Sequence, residues 1–109
     1  MFEASHVALQ FVASVRQVVD AVVDHDANLA SQLRRAAMSA ALNTAEAGRR
    51  CGRDQRGRAR IAAGECAEAV AAVQIAAAWG WIDDAVITPV VALADRLQAI
   101  LYRLANPRR

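Results

Sequence analysis

The run from Leu33 to Arg50 constrains this chain more than any other part of it. It contains no Pro, and Ala36, Ala37, Ala40, Ala41 and Ala45 recur along it at helical spacings. These small residues make one side of a helix nearly smooth. Arg34, Arg35, Ser39, Asn43 and Glu46 are threaded between them. A smooth side lets a neighbouring helix approach closely, and Asn or Glu buried by that approach needs hydrogen-bond partners. The run therefore reads as a tightly packed central helix rather than a solvent-facing one.

Three further stretches carry the same period. The first helix is expected over Glu3 to Asp24, with Ala8, Phe11, Val15, Val18 and Val22 inward and Val12, Val19 and Val23 beside them. Val is a mediocre helix former, so this helix depends on packing. Asp24, His25, Asp26 and Asn28 break the pattern, and either Asp26 or Asn28 suits a cap for the second helix, Leu29 to Arg50. Leu29, Leu33, Ala36 and Ala40 form its inner face. Gly48 weakens its end and Cys51-Gly52 marks the turn.

Asp54 is the expected cap of a third helix over Gln55 to Trp79, with Ala62, Cys66, Ala69, Val73 and Ala76 in line and Gly80 as its stop. The fourth is expected over Asp83 to Ala105, with a seam of Val86, Val90, Leu93, Leu97, Ile100 and Leu104. Pro89 interrupts it: either the helix restarts with Thr88 as cap, or it bends.

Four amphipathic helices of about 22 residues, each roughly 33 Å long, joined by short turns, make an all-α antiparallel up-down-up-down four-helix bundle. A three-helix domain with a swapped fourth helix, or a helical dimer, would use the same faces. With 109 residues, 56% of them hydrophobic, the chain is one domain, residues 1–109, with a single modest core. With the second turn centred near Gly52, Ala40 and Ala36 should face the Gly64 side of the third helix. Arg35 should then pair with Glu68, and Ser39 should lie near Glu65.

All 13 basic residues are Arg, as a GC-rich genome would give, and the net charge is only +2. Their distribution says more. Arg49, Arg50, Arg53, Arg56, Arg58 and Arg60 bracket the turn between helices two and three. Guanidinium groups bind phosphate bidentately, so this end reads as an RNA or DNA backbone site. The alternative is a solvated helix end partly balanced by Glu46 and Asp54. No aromatic residue interleaves the cluster, so base stacking is not suggested.

Catalysis is not indicated, because no nucleophile–base pair stands out. The bundle metal pattern, Glu-x-x-His from facing helices, does not occur, and His6 and His25 read as surface or turn residues. The reading is non-enzymatic, with no metal and no cofactor. Trp79 and Trp81 are expected to cap the core or form a subunit contact. The Val-rich first helix and the fourth are candidates for an oligomer interface. The N-terminal residues lack signal-peptide character, and the apolar run from Ile61 to Ile82 is broken by Glu65, Glu68 and Gln74. A cytoplasmic, membrane-free protein with two free thiols is expected.

The central run also carries a family resemblance. Leu33-Arg34-Arg35-Ala36-Ala37-Met38-Ser39, then Asn43-x-Ala45-Glu46, then Gly48-Arg49, resembles the hallmark of the four-helix-bundle proteins encoded in bacterial 23S ribosomal RNA intervening sequences. Gly64-x-x-x-Glu68 and Trp79-Gly80-Trp81-Ile82 are similar to that family's third-helix and third-turn segments, in the same order along residues 29–83. The family usually has Pro at the place of Ala41, Gly at Ala47 and Ser at Glu65, and aromatic residues around Arg58-Ala59-Arg60. The resemblance implies a homo-oligomer, with rings of five bundles, and no established enzymatic activity. A related bundle serves as accessory subunit to the reverse transcriptase of diversity-generating retroelements, where it binds the polymerase and nucleic acid. Nucleic-acid or ribonucleoprotein interaction at the Arg-rich end is thus the leading expectation, and a protein-binding adaptor or reverse-transcriptase accessory subunit the alternative.

Overall fold

The computed structural model describes residues 2–108. Four helices follow one another: α1 Glu3–Val22, α2 Ala27–Gly48, α3 Gly52–Ala78 and α4 Asp84–Ala105. Each packs against its sequence neighbours, and α4 closes back on α1. The result is an up-down-up-down bundle measuring 46 × 22 × 22 Å.

The inward faces follow from the period of the sequence. Helix α1 buries Phe11, Val15, Val18 and Val22, and α3 buries Ala62, Cys66, Ala69, Val73 and Ala76. Helix α2 buries Leu33, Ala36, Ala37 and Ala40, but its stripe then rotates inward through Thr44 and Ala47, leaving Ala45 exposed. Thr44 is the one buried polar residue among those described, and its hydroxyl donates to the Ala40 carbonyl at 2.7 Å. In α4 the buried line is Val90, Ala94, Leu97, Leu101 and Ala105, with Ile100 beside it. Val86, Leu93 and Leu104 are only half-buried.

The core has two grades of packing. Helices α2 and α3 share the most extensive contact of any pair, and most of their buried residues are Ala. The large buried side chains are Phe11, Leu33, Leu97 and Leu101. Full burial of each of these contributes about 1.5–3 kcal/mol, so the apolar driving force lies mainly with them. The alanines instead set how close α2 and α3 come. Helices α3 and α4 contain 18-residue windows of mean hydropathy 1.4, long and apolar enough to cross a bilayer by length and composition. In the bundle each lays its buried line against its neighbours.

Helix α2 begins after Asp26, whose Oδ1 accepts from the Leu29 amide at 2.9 Å, so Asp26 and not Asn28 is the cap. Asp83 does the same for α4 through the Val86 amide at 3.3 Å. Helix α3 departs from expectation. Its cap position is Cys51, with no side-chain bond, and Asp54 lies inside the first turn. Gly52 makes this possible: at φ 60° it takes a left-handed conformation closed to most residues, so the chain reverses within Arg49–Cys51. Gln55 then takes up carbonyls at the C-terminal end of α2, its Nε2 donating to Ala47 O at 3.0 Å and Arg50 O at 3.1 Å. Helix α4 runs through Pro89 without restarting. Pro89 and Ala85 are both exposed, so the carbonyl that loses an amide partner there can turn to water.

The tighter second turn shifts the hairpin register. Gln55 meets Ala47, and Arg58 Nη1 donates to Asn43 Oδ1 at 3.3 Å. The two helices are therefore centred at or just before Cys51, not on Gly52. The expected Arg35–Glu68 pair does not form: both residues are exposed, and neither enters an ion pair among the described residues. Ser39 does not meet Glu65. It accepts instead from Asn43 Nδ2, at its carbonyl (3.0 Å) and its hydroxyl (3.2 Å). Gly64 is exposed, with nothing within 4 Å of where a Cβ would stand, so it is not the small-on-small contact.

Urea unfolding of double-mutant cycles checks this register. Asn43→Ala with Arg58→Ala should show a coupling of about 0.5–1 kcal/mol, whereas Arg35→Ala with Glu68→Ala should show a coupling of about zero. The two thiols give a second check. Burial, followed by the charge of Asp95, pushes Cys66 from the ordinary 9.0 up to about 11, while Cys51 is exposed. A small maleimide should label Cys51 in the native protein and Cys66 only in denaturant. The unfolded chain releases the Cys66 proton that the folded chain retains, so stability should fall as pH rises from about 9 to about 11, and Cys66→Ala should remove that fall.

Candidate nucleic-acid interface

The α2–α3 turn places its six arginines at one end of the bundle, and their surroundings divide them. Arg50 lies in the turn and is held from both sides. Its Nη1 donates to Asp54 at 2.8 Å, and its Nε and Nη2 donate to Glu46 at 3.2 and 3.1 Å. These bonds, Asp54 first, raise the Arg50 pKa above its ordinary value. Arg58 is tied to Asn43 across the hairpin. Arg60 is exposed, but its Nη2 donates to the Ala105 carbonyl of α4 at 3.2 Å.

Arg49, Arg53 and Arg56 differ from these three. Arg49 is the residue after α2, and Arg53 and Arg56 occupy the first two turns of α3. Arg49 and Arg53 are exposed and Arg56 is half-exposed. None of the three makes an ion pair or a side-chain hydrogen bond among the described residues. The placement of one of them, Arg53, also runs against helix electrostatics. The N-terminal end of α3 carries partial positive charge, which disfavours Arg53 and favours Asp54; at Arg56, in the second turn, the effect has fallen off. Helix stability therefore accounts for Asp54 and leaves these two arginines unexplained.

The family-motif residues resolve into different roles. Ser39 and Asn43 bond each other along α2, and Asn43 also receives Arg58. Glu46 is spent on Arg50, which leaves it poorly placed as an acid or base. Arg34 and Arg35 are exposed on the far half of α2, and Arg35 lies about 22 Å along the helix from Arg50. They do not join the cluster, and neither does Glu68, which is exposed on α3. No group of three His, Cys, Asp or Glu that could hold a metal occurs among the described residues.

Two further arginines lie towards this end. The Arg60–Ala105 bond ties the last turn of α4 to the third turn of α3, so Arg103 and Arg108, both exposed, lie in the half of the bundle nearer the hairpin. Up-down topology was the available signal, since it returns the C-terminal end of α4 to the α2–α3 turn. Arg109 lies outside the described residues. The end thus presents three unpaired guanidinium groups, each with five donors, on a hairpin braced by Arg50, Gln55 and Arg58. Such an arrangement can take phosphate oxygens bidentately. The sequence shows no aromatic residue among these arginines, but the fold brings two beside them: half-buried Phe2 shares a groove with Arg49, and exposed Tyr102 shares one with Arg60.

The comparisons agree with this architecture. A solved structure from Bacteroides thetaiotaomicron, a protein with unknown function from the S23 ribosomal protein family, superposes at a TM-score of 0.84. The match covers 94% of this chain and 98% of that one at 16% identity, a likeness of fold. No curated protein matches the chain. The model of the 23S rRNA-intervening sequence protein family matches residues 2–103, nearly the whole of the bundle. The chain is therefore a member of the 23S rRNA-intervening sequence protein family.

Proposed function

We propose that the protein is a non-enzymatic, homo-oligomeric module that binds structured RNA or DNA through the phosphate backbone, using the hairpin end of the bundle. The observation that carries this reading is the set Arg49, Arg53 and Arg56, left without partners while every nearby carboxylate except Glu3 is engaged by Arg50. Arg103 and Arg108 widen the same positive surface. Contacts of this kind neutralise phosphates and release counterions, giving affinity without sequence preference.

The oligomer rests on family resemblance and on the α1–α2 seam. Leu9, Met38 and Leu42 are exposed there, Leu42 at 66%. Two grooves run along the seam, one past Leu9, Ala41 and Ala45, the other past Val12, Val19 and Met38. An apolar stripe on the first two helices suits lateral packing of further copies, and the resemblance points to five. Repetition of the hairpin end around such a ring would multiply weak phosphate contacts. In the adaptor reading, this same stripe is the docking site for a protein such as a reverse transcriptase, in the cytoplasm.

Fluorescence anisotropy of a labelled structured RNA, titrated at several salt concentrations, tests the reading. Three arginine–phosphate contacts per chain predict a log–log salt slope of roughly −2 to −3. Arg49→Glu/Arg53→Glu/Arg56→Glu should abolish binding, whereas Arg34→Glu/Arg35→Glu should leave the slope unchanged. An absence of binding even at about 0.05 M salt would refute the nucleic-acid reading and leave the adaptor.

A further inference from the structure

The end of the bundle opposite the arginines has its own chemistry. It is built from the α1–α2 and α3–α4 turns, which meet through stacked rings. His25 lies on Trp81 with centroids 5.0 Å apart and planes 8° from parallel. Trp81 lies on Trp79 at 5.8 Å and 12°. Trp81 is half-buried against the core, so it fixes the ladder to the fold. Trp79 ends the ladder and is 70% exposed. Asp24, Asp26, Asp83 and Asp84 lie in the same two turns or the first residue of α4, and no arginine occurs in either turn or in the helical turns flanking them.

An exposed indole held flat by a stack, on an end whose turns carry only carboxylates as charged groups, suits a planar cation. Guanidinium binds such a ring by stacking and by attraction to its π face, and it pairs with carboxylates at the edge. The chain carries such groups at its other end, where Arg49, Arg53 and Arg56 are unpaired. The two ends are opposite in charge and face away from each other along the 46 Å axis, so one molecule cannot join its own.

We propose that copies of this chain associate end to end, with the arginine end of one copy seated on the Trp79 end of the next. The contact is heterologous and leaves one end of each kind open, so it propagates as short linear chains rather than closing. It is distinct from lateral packing along the α1–α2 seam. An end measuring 22 × 22 Å offers on the order of 400 Å² per partner, in the range of weak, exchanging contacts. The association goes beyond phosphate binding and does not require it. The two compete, because the same arginines serve both.

Sedimentation equilibrium of the full chain without nucleic acid tests this between about 0.01 and 0.15 M salt, across which the Debye length falls from about 30 to about 8 Å. The wild type should gain mass with concentration at low salt and lose that gain at the higher salt. Arg53→Glu/Arg56→Glu blocks one end, and Trp79→Ala/Asp84→Arg blocks the other. Each variant alone should lose the salt-sensitive association by more than about tenfold. An equimolar mixture should regain it as a one-to-one pair of assemblies, since each variant keeps the end the other lacks, and regain also shows that both are folded. Three outcomes overturn the proposal: no salt-sensitive association of the wild type, association of either variant at wild-type strength, or a mixture of folded variants, verified by circular dichroism, that stays apart. Because RNA is absent, failure here leaves the phosphate-binding reading standing.

Discussion

Close approach of α2 and α3 is the constraint on which the rest of the bundle depends. Ala loses no side-chain entropy when buried and is the best helix former. Two helices lined with Ala therefore order cheaply, yet each Ala hides little apolar surface. The pair could not sustain a domain alone. It is covered from outside by α1 and α4, which bring Phe11, Leu97, Leu101 and the buried valines. This division explains why α1 is rich in poor helix formers. Its Val residues are tolerable in a helix because they supply the buried area that α2 and α3 lack.

The polar chemistry of the hairpin follows from how α2 ends. Residues 48–54 are all exposed, and the carbonyls closing α2 lack helical donors and take bonds from outside the helix. Gln55 supplies two of those bonds. Asn43 spans the seam by accepting from Arg58 while donating to Ser39. Arg50 draws Glu46 and Asp54 together across the turn. Charges at such exposure contribute little stability, but their arrangement has a consequence: the local carboxylates are occupied, and the neighbouring arginines keep their full donor capacity.

The helices and most of their inner faces were legible in the sequence, because spacings of three and four suffice for that. Family membership was legible too, from ordered motifs in α2, α3 and the third turn. The hairpin register was not. Asp54 resembles a cap, and periodicity carries no information on how sharply a chain reverses. The reversal depends on Gly52 at φ 60°, and the two-residue error at the turn carried through to Arg35, Ser39 and Gly64. The candidate site was half-legible for a related reason. Density along the chain identified the arginine end, but the sorting of its members depends on partners 15 and 45 residues away, Asn43 for Arg58 and Ala105 for Arg60. His25 and Trp81 lie still farther apart in sequence, and only their stacking shows that two turns form one surface.

Axial polarity follows from these particulars rather than from the helices themselves. Antiparallel packing largely cancels the macrodipoles, so the two ends differ only through their side chains. Some of that difference serves the helices. Asp26 and Asp83 are caps, Asp84 sits in a favourable first turn, and Arg49 and Arg103 lie near C-terminal ends that favour cations. Other residues do the opposite. Asp24 follows the C-terminal end of α1 and Arg53 opens α3, each against the local partial charge, and Arg56 in the next turn gains nothing from it. A chain selected for helix stability alone would exchange Asp24 and Arg53 first. The three stand at opposite ends of the bundle, Asp24 and Arg53 exposed and Arg56 half-exposed, and helix stability does not account for them.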